Sequence, residues 1–144
     1  MSVEENKSIV RRLLQEVVNR RNLKEIDEIV ASDCVFHGSG RQEVIGTDIM
    51  KQMLTTFFDA FDNFHADIED MIGEGDKVVV RFVESGKHQG EFEGIPPTGK
   101  EVIWLEMAIF RVVNNKIVEG WTLEDRLSLM QQMGVISLPE QDRG

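Results

Sequence analysis

Residues 64–88 read FHADIEDMIGEGDKVVVRFVESGKH, and the hydrophobic period inside this stretch decides the fold. Phe64, Ala66 and Ile68 alternate with His65, Asp67 and Glu69, the two-residue pattern of a strand with one buried face. Glu74-Gly75-Asp76-Lys77 is a hairpin turn, with Gly75 free to take a positive φ. A second strand is expected from Lys77 to about His88. Gly90 to Lys100 is a loop, because Pro96 and Pro97 cannot donate to a sheet ladder. A third strand over Glu101–Val113, a tight Asn114-Asn115 turn and a fourth strand from Lys116 to about Leu123 complete a meander. Its short connections make it antiparallel.

Upstream of residue 64 the period is helical. Ile9, Val10, Leu13, Leu14, Val17 and Val18 form one apolar stripe, predicting a helix over about 4–20. Asn22 with Glu25 resembles a capping box that opens a second helix. Cys34 to His37 is a short β-like segment closed by Gly38-Ser39-Gly40. Thr47 is expected to cap a third helix over about 48–63, with Ile49, Met50, Met53, Leu54, Phe57, Phe58 and Phe61 facing inward. A last short helix is expected over about 125–133, ended by Gly134, and then a tail over 135–144. The pattern specifies an α+β layer pair: a strongly bent antiparallel sheet with helices across one face, enclosing a cone-shaped cavity.

The chain has 144 residues, the size of one domain, with a core over about 4–134. Its formal net charge of −10 argues against nucleic acid, since neutralising phosphates takes a basic footprint. It argues equally against an anionic membrane surface. The N-terminal segment reads as an amphipathic helix rather than a signal peptide. One cysteine, Cys34, excludes an intramolecular disulfide framework and fits a reducing cytoplasm. No metal-ligand spacing, phosphate loop or dinucleotide fingerprint occurs, so neither a metal nor a cofactor is expected.

Several stretches together resemble a known family. They are Glu5-Asn6-Lys7 with Val10-Arg11-Arg12, Ile29 to Asp33 leading to Val35 and His37, and Glu74 to Arg81. The most specific is His88-Gln89-Gly90-Glu91-Phe92-Glu93-Gly94-Ile95-Pro96-Pro97-Thr98-Gly99-Lys100, continued by Phe110-Arg111, Lys116 to Glu119, Trp121 and Leu129 to Gly134. Over about residues 4–134 the chain resembles the SnoaL-like polyketide cyclases of the nuclear-transport-factor-2-like superfamily. The resemblance implies a cystatin-like α+β roll and a homodimer. It also implies a cofactor-free, metal-free cyclase or isomerase that moves the proton α to a carbonyl of a small apolar compound. By position, the family's pocket aspartate falls on Asp125. Here Thr122-Leu123-Glu124 stand between Trp121 and Asp125, and the chain has no tyrosine.

Two readings of Asp125 follow from the residues. Trp121, Leu123 and Asp125 share one strand parity, which can aim the carboxylate into the cavity as general base. Alternatively, Asp125 caps the first turn of the last helix. His37, Glu106 and His88 are the assisting candidates. His37 ends a β segment. Glu106 is an acid inside the apolar run Trp104–Ala108. His88 shares parity with Val78, Val80, Phe82 and Glu84. Which face of that strand points inward is open from sequence. Trp104, Trp121, Phe57, Phe61 and Met53 are the expected substrate-binding lining. Two other functions fit the same pattern: a non-catalytic small-ligand-binding or dimerisation module, and an epoxide-hydrolase-like enzyme with Arg81 or Arg111 between two acids.

Overall fold

The computed structural model describes residues 2–40, 42–137 and 139. Helix α1 covers Val3–Arg12 and continues as a π-helix over Leu13–Asn19. A 3₁₀ turn, Leu23–Glu25, leads into the one-turn helix α2, Ile26–Ile29. Strands β1 (Val30–His37) and β2 (Glu43–Ile45) precede helix α3, Thr47–Ala60. Four long strands follow, β3 (Phe61–Glu74), β4 (Lys77–His88), β5 (Glu101–Val113) and β6 (Lys116–Glu124). Helix α4, Arg126–Gln132, comes last. The tail expected over 135–144 falls largely outside the described residues. Among the described residues no helix is long and apolar enough to cross a membrane.

The change from α- to π-helix follows from the stripe that α1 must bury. Its apolar pairs recur every four residues, at 9/10, 13/14 and 17/18. An α-helix turns every 3.6 residues, so such a stripe would drift around it. The i→i+5 bonding of a π-helix widens the turn and offsets the drift. All six residues are buried as a result.

The sheet has six strands in the order β2-β1-β6-β5-β4-β3. The meander is antiparallel as expected, and two strands are added to it. β1 begins at Val30 rather than Cys34 and pairs in parallel with β6, placing Phe36 opposite Gly120 and His37 opposite Trp121. β2 then pairs antiparallel with β1 at the sheet edge. The hairpin turns use positive φ at Gly75 (60°) and at Asn114 and Asn115 (51° and 64°). The asparagine pair has the backbone signature of a type I′ turn.

Two expected caps are not formed. Asn22 makes no side-chain cap hydrogen bond, and Glu25 pairs with Arg12 of α1 instead. Gly46 (φ 91°), not Thr47, precedes α3. Helix α3 stops at Ala60, three residues before the expected end, because Phe61 is already extended (φ −122°, ψ 115°). Ile49, expected inward, is 50% exposed.

The parity of β4 is settled by burial. Val78, Val80, Phe82, Glu84, Gly86 and His88 all face the core beneath α1 and α3. The Gln89–Lys100 loop is tied to the end of α3, where the amides of Gln89 and Gly90 both donate to the Ala60 carbonyl at 3.0 Å. This approach leaves no space for a side chain at Gly90, where a Cβ would lie 2.3 Å from the Asp59 carbonyl oxygen. Gly90→Ala is expected to cost about 1–3 kcal/mol in urea denaturation. Gly40→Ala, where an added Cβ meets only side-chain atoms at 3.7 Å or beyond, is expected to stay within ~0.5 kcal/mol.

Candidate functional site

A cavity of about 180 Å³ lies between the helices and the inner face of the sheet. Leu13, Leu14 and Val18 of the first helix form its roof, and Met50, Met53, Leu54 and Phe57 of α3 form one side. Phe36, Val44, Phe64, Phe82 and Phe110 complete the apolar wall, with Gly38 and Gln42 contributing from the β1–β2 loop. Into this greasy surface project three carboxylates, Glu84, Glu106 and Glu124, accompanied by Thr122.

Strand register brings the three acids together. Glu106 of β5 stands directly opposite Glu124 of β6. Glu84 of β4 stands opposite Trp104, two residues from Glu106 on the same face. Residues so placed on adjacent strands are close enough for their side chains to interact. Glu84 and Glu106 share a hydrogen bond, which requires a proton on one of them.

Burial dominates the titration of all three. It raises Glu84 well above the ordinary carboxylate range, and the Glu106 charge and the bond to Glu106 add to the rise. Glu106 is also raised by burial, with the bond from Glu84 partly offsetting this. Burial thus favours keeping one proton on the pair. Burial, then the charge of Glu106, pushes Glu124 up to about 7. An opposing influence comes from Arg126, whose Nη1 lies 2.5 Å from the Glu124 Oε1 and favours the ionised form.

Asp125, expected to look into the cavity, does not line it. Its Oδ1 accepts a hydrogen bond from the Ser128 amide at 3.1 Å, and the residue is the exposed N-cap of α4. The shared parity of Trp121 and Leu123 belongs to the outer face of β6, where Leu123 is 65% exposed. Gly120 shows why. Its inner side is filled by Phe36 and Phe110, whose ring atoms would lie 2.7–3.0 Å from an added Cβ. Thr122 and Glu124 follow Gly120 inward.

The other candidates are dispersed. Trp121 stacks on His37 at 5.5 Å, away from the cavity lining. His37 Nε2 lies 2.9 Å from Glu119, and its Nδ1 3.7 Å from Glu43, so the ring is held in a surface network. His88 is fully buried, and its Nδ1 faces Thr98 Oγ1 at 3.0 Å rather than Glu84. The Thr98 amide donates to the same nitrogen at 3.3 Å, so the proton belongs on Nε2. Trp104 and Phe61 are core residues, packed 5.3 Å apart behind the cavity wall. Glu106, Phe57 and Met53 do line the cavity. Arg81 pairs with Asp70, and Arg111 lies near Asp76 and Glu119, so neither arginine stands between two cavity acids. Among the described residues no group of three His, Cys, Asp or Glu side chains is arranged to hold a metal ion.

Residues 8–133 match the description SnoaL-like polyketide cyclase. The chain belongs to this family. Solved structures agree on the fold. AclR from Streptomyces galilaeus, a candidate hydroxylase, is 27% identical with a TM-score of 0.85, over 99% of this chain and 91% of its own. IdmH from Streptomyces antibioticus, a candidate polyketide cyclase, is 27% identical with a TM-score of 0.80, over 90% of this chain and 99% of its own. A candidate polyketide cyclase from Bacillus cereus ATCC 10987 is 29% identical with a TM-score of 0.77, over 92% and 83%. No curated protein is significantly similar in sequence.

The raised acids carry a signature in stability. A carboxyl whose folded pKa lies above its unfolded value binds more protons folded than unfolded, so stability falls as pH rises through that window. For Glu124 the window runs from 4.5 to about 7. Thermal melts are expected to show higher stability near pH 5 than near pH 8. Glu124→Gln is expected to remove part of that slope, at most about 3 kcal/mol.

Proposed function

We propose that the cavity catalyses proton transfer α to a carbonyl of a small, mostly apolar compound, as in polyketide-type ring closure or isomerisation. The observation that supports this reading is the convergence of three pKa-raised carboxylates on one wall of an otherwise apolar hollow. Membership of the SnoaL-like family points the same way. Glu124 takes the place first expected for Asp125.

The roles follow from the electrostatics. A carboxyl near 7 is partly ionised at neutral pH and is a stronger base than an ordinary glutamate. Glu124 removes the proton from the carbon next to the carbonyl. Glu84, protonated and bonded to Glu106, donates to the carbonyl oxygen as negative charge develops there. In a ring closure the enolate carbon attacks a second carbonyl of the same molecule. The alkoxide so formed takes the proton that Glu124 removed, which regenerates the base, and the enol returns its proton to Glu84. The first carbonyl re-forms, and no oxidant is consumed. Phe57, Phe64, Phe82 and Phe110 exclude water and hold the apolar skeleton.

The outer face of the sheet supports a further expectation. Ile103, Leu105, Met107 and Ile109 of β5 are 38–59% exposed beside Leu123 and Trp121 of β6. Contiguous apolar surface of this kind is uncommon on soluble monomers. A second copy of the chain, packed sheet to sheet about a two-fold axis, is the simplest cover.

The test of the reaction uses 2-tetralone in deuterated buffer, with α-exchange followed by proton NMR. The protein is expected to accelerate exchange, Glu124→Gln to lower the rate by about 10²–10⁴, and Asp125→Asn to leave it near wild type. Binding of the ketone with no acceleration would identify a ligand-binding module instead. For assembly, light scattering after size exclusion is expected to give a dimer, and Ile109→Glu with Leu123→Glu a monomer.

A further inference from the structure

Arg126 joins two parts of the molecule that the fold keeps separate. It opens α4, directly after the N-cap Asp125. Its Nη1 reaches the cavity acid Glu124 at 2.5 Å, while its Nη2 pairs with Glu93 on the Gln89–Lys100 loop. The guanidinium also lies 5.8 Å from the ring centroid of Phe92. Phe92 is 1% exposed and packs on Phe57 and Phe61 at 5.3 and 5.1 Å. Glu93 stands at the tip of a tight turn closed by Phe92 and Ile95 bonds of 2.8 and 3.0 Å, with φ 49° at Glu93 and 82° at Gly94. The loop therefore presents its carboxylate to Arg126 from a fixed turn anchored in the core.

The charged groups that face Glu124, among the described residues, are few. Glu106 faces it from β5, and Glu84 lies beyond Glu106 on β4. Arg126 comes from α4, and Glu93 acts through Arg126 from the loop. From the β1–β2 loop the described contact is Ser39, whose uncharged hydroxyl accepts the Glu124 backbone amide. Asp125 is turned away to cap its helix. Arg126 is thus the one cation in this set. The acids alone would drive Glu124 towards its neutral form.

We propose that Arg126 is a positioning residue that keeps Glu124 ionised as the base, and that the loop adjusts this through Glu93. The proposal rests on the reading of Glu124 as a working cavity acid. A guanidinium shared with a second carboxylate stabilises Glu124 less than one devoted to it. Glu93 therefore weakens the hold of Arg126, and any ligand or movement that draws Glu93 away makes Glu124 more acidic.

The test needs no substrate. Carbon-13 NMR of the glutamate carboxyls, with Glu124 assigned through Glu124→Gln, gives its titration midpoint in the whole protein. Arg126→Met is expected to raise that midpoint by about one unit. Arg126→Lys is expected to restore most of the difference, and Glu93→Gln to move the midpoint the opposite way. An unchanged midpoint in Arg126→Met would overturn the proposal. A Glu93→Gln midpoint unchanged or moved upward would overturn the part given to the loop. In the tetralone assay the alkaline plateau should begin at a correspondingly higher pH in Arg126→Met. If no exchange is catalysed while the midpoints move as stated, the reaction fails and the role of Arg126 in the ionisation of Glu124 stands.

Discussion

The site depends on one constraint of β geometry: side chains alternate strictly between the two faces of a strand. Phe82, Glu106 and Glu124 occupy one row across β4, β5 and β6, and Glu84 the next position on the inner face of β4. A register slip of one residue in any of these strands would exchange its acid for a residue of the opposite face. The aromatic packing around Phe57, Phe61, Phe64, Phe92 and Trp104 resists such slips, because each ring fills space that another must vacate. The same packing holds the acids in an environment poor in water. The upward shift of their titration is thus a consequence of the register that also builds the core.

How far this was readable depends on the range of the interaction. The helical stripe of α1 and the alternation in β3 are local patterns, and sequence expresses them directly. The parallel partnership of β1 with β6 joins residues far apart in the chain. The β1 segment Val30-Ala31-Ser32-Asp33 shows no alternation, because the pairing is interrupted between Val30 and Val35. β2, three residues at a sheet edge, carries almost no pattern. The caps failed for a different reason. Asn22 and Thr47 have the right chemistry, but Glu25 is engaged by Arg12 and Gly46 supplies the turn.

The candidate acid illustrates the limit sharply. Glu106 stands out in sequence as a charge within an apolar run, and Glu84 was visible as part of a strand whose face was undecided. Glu124 does not stand out in sequence because its neighbours Trp121 and Leu123 look like lining residues, and they point outward. The deciding residue is Gly120. A glycine in a strand marks a place where another group comes close. Here that group is Phe36, delivered by the parallel strand. Since β1 as a partner of β6 was not foreseen, the glycine had no visible cause and the parity of β6 could not be assigned.

That parallel contact also shapes how the chain can reach its native state. Phe36 must meet Gly120, and more than eighty residues have to be made between them. Closing so large a loop is slow and entropically costly. On the ribosome, the β3–β4 and β4–β5 hairpins can form as they emerge, but β1 has no seat until β6 is synthesised. The hydrophobic stripe of the N-terminal helix and the unpaired β1 would meanwhile remain open to wrong partners, the period in which a nascent chain most needs chaperone protection.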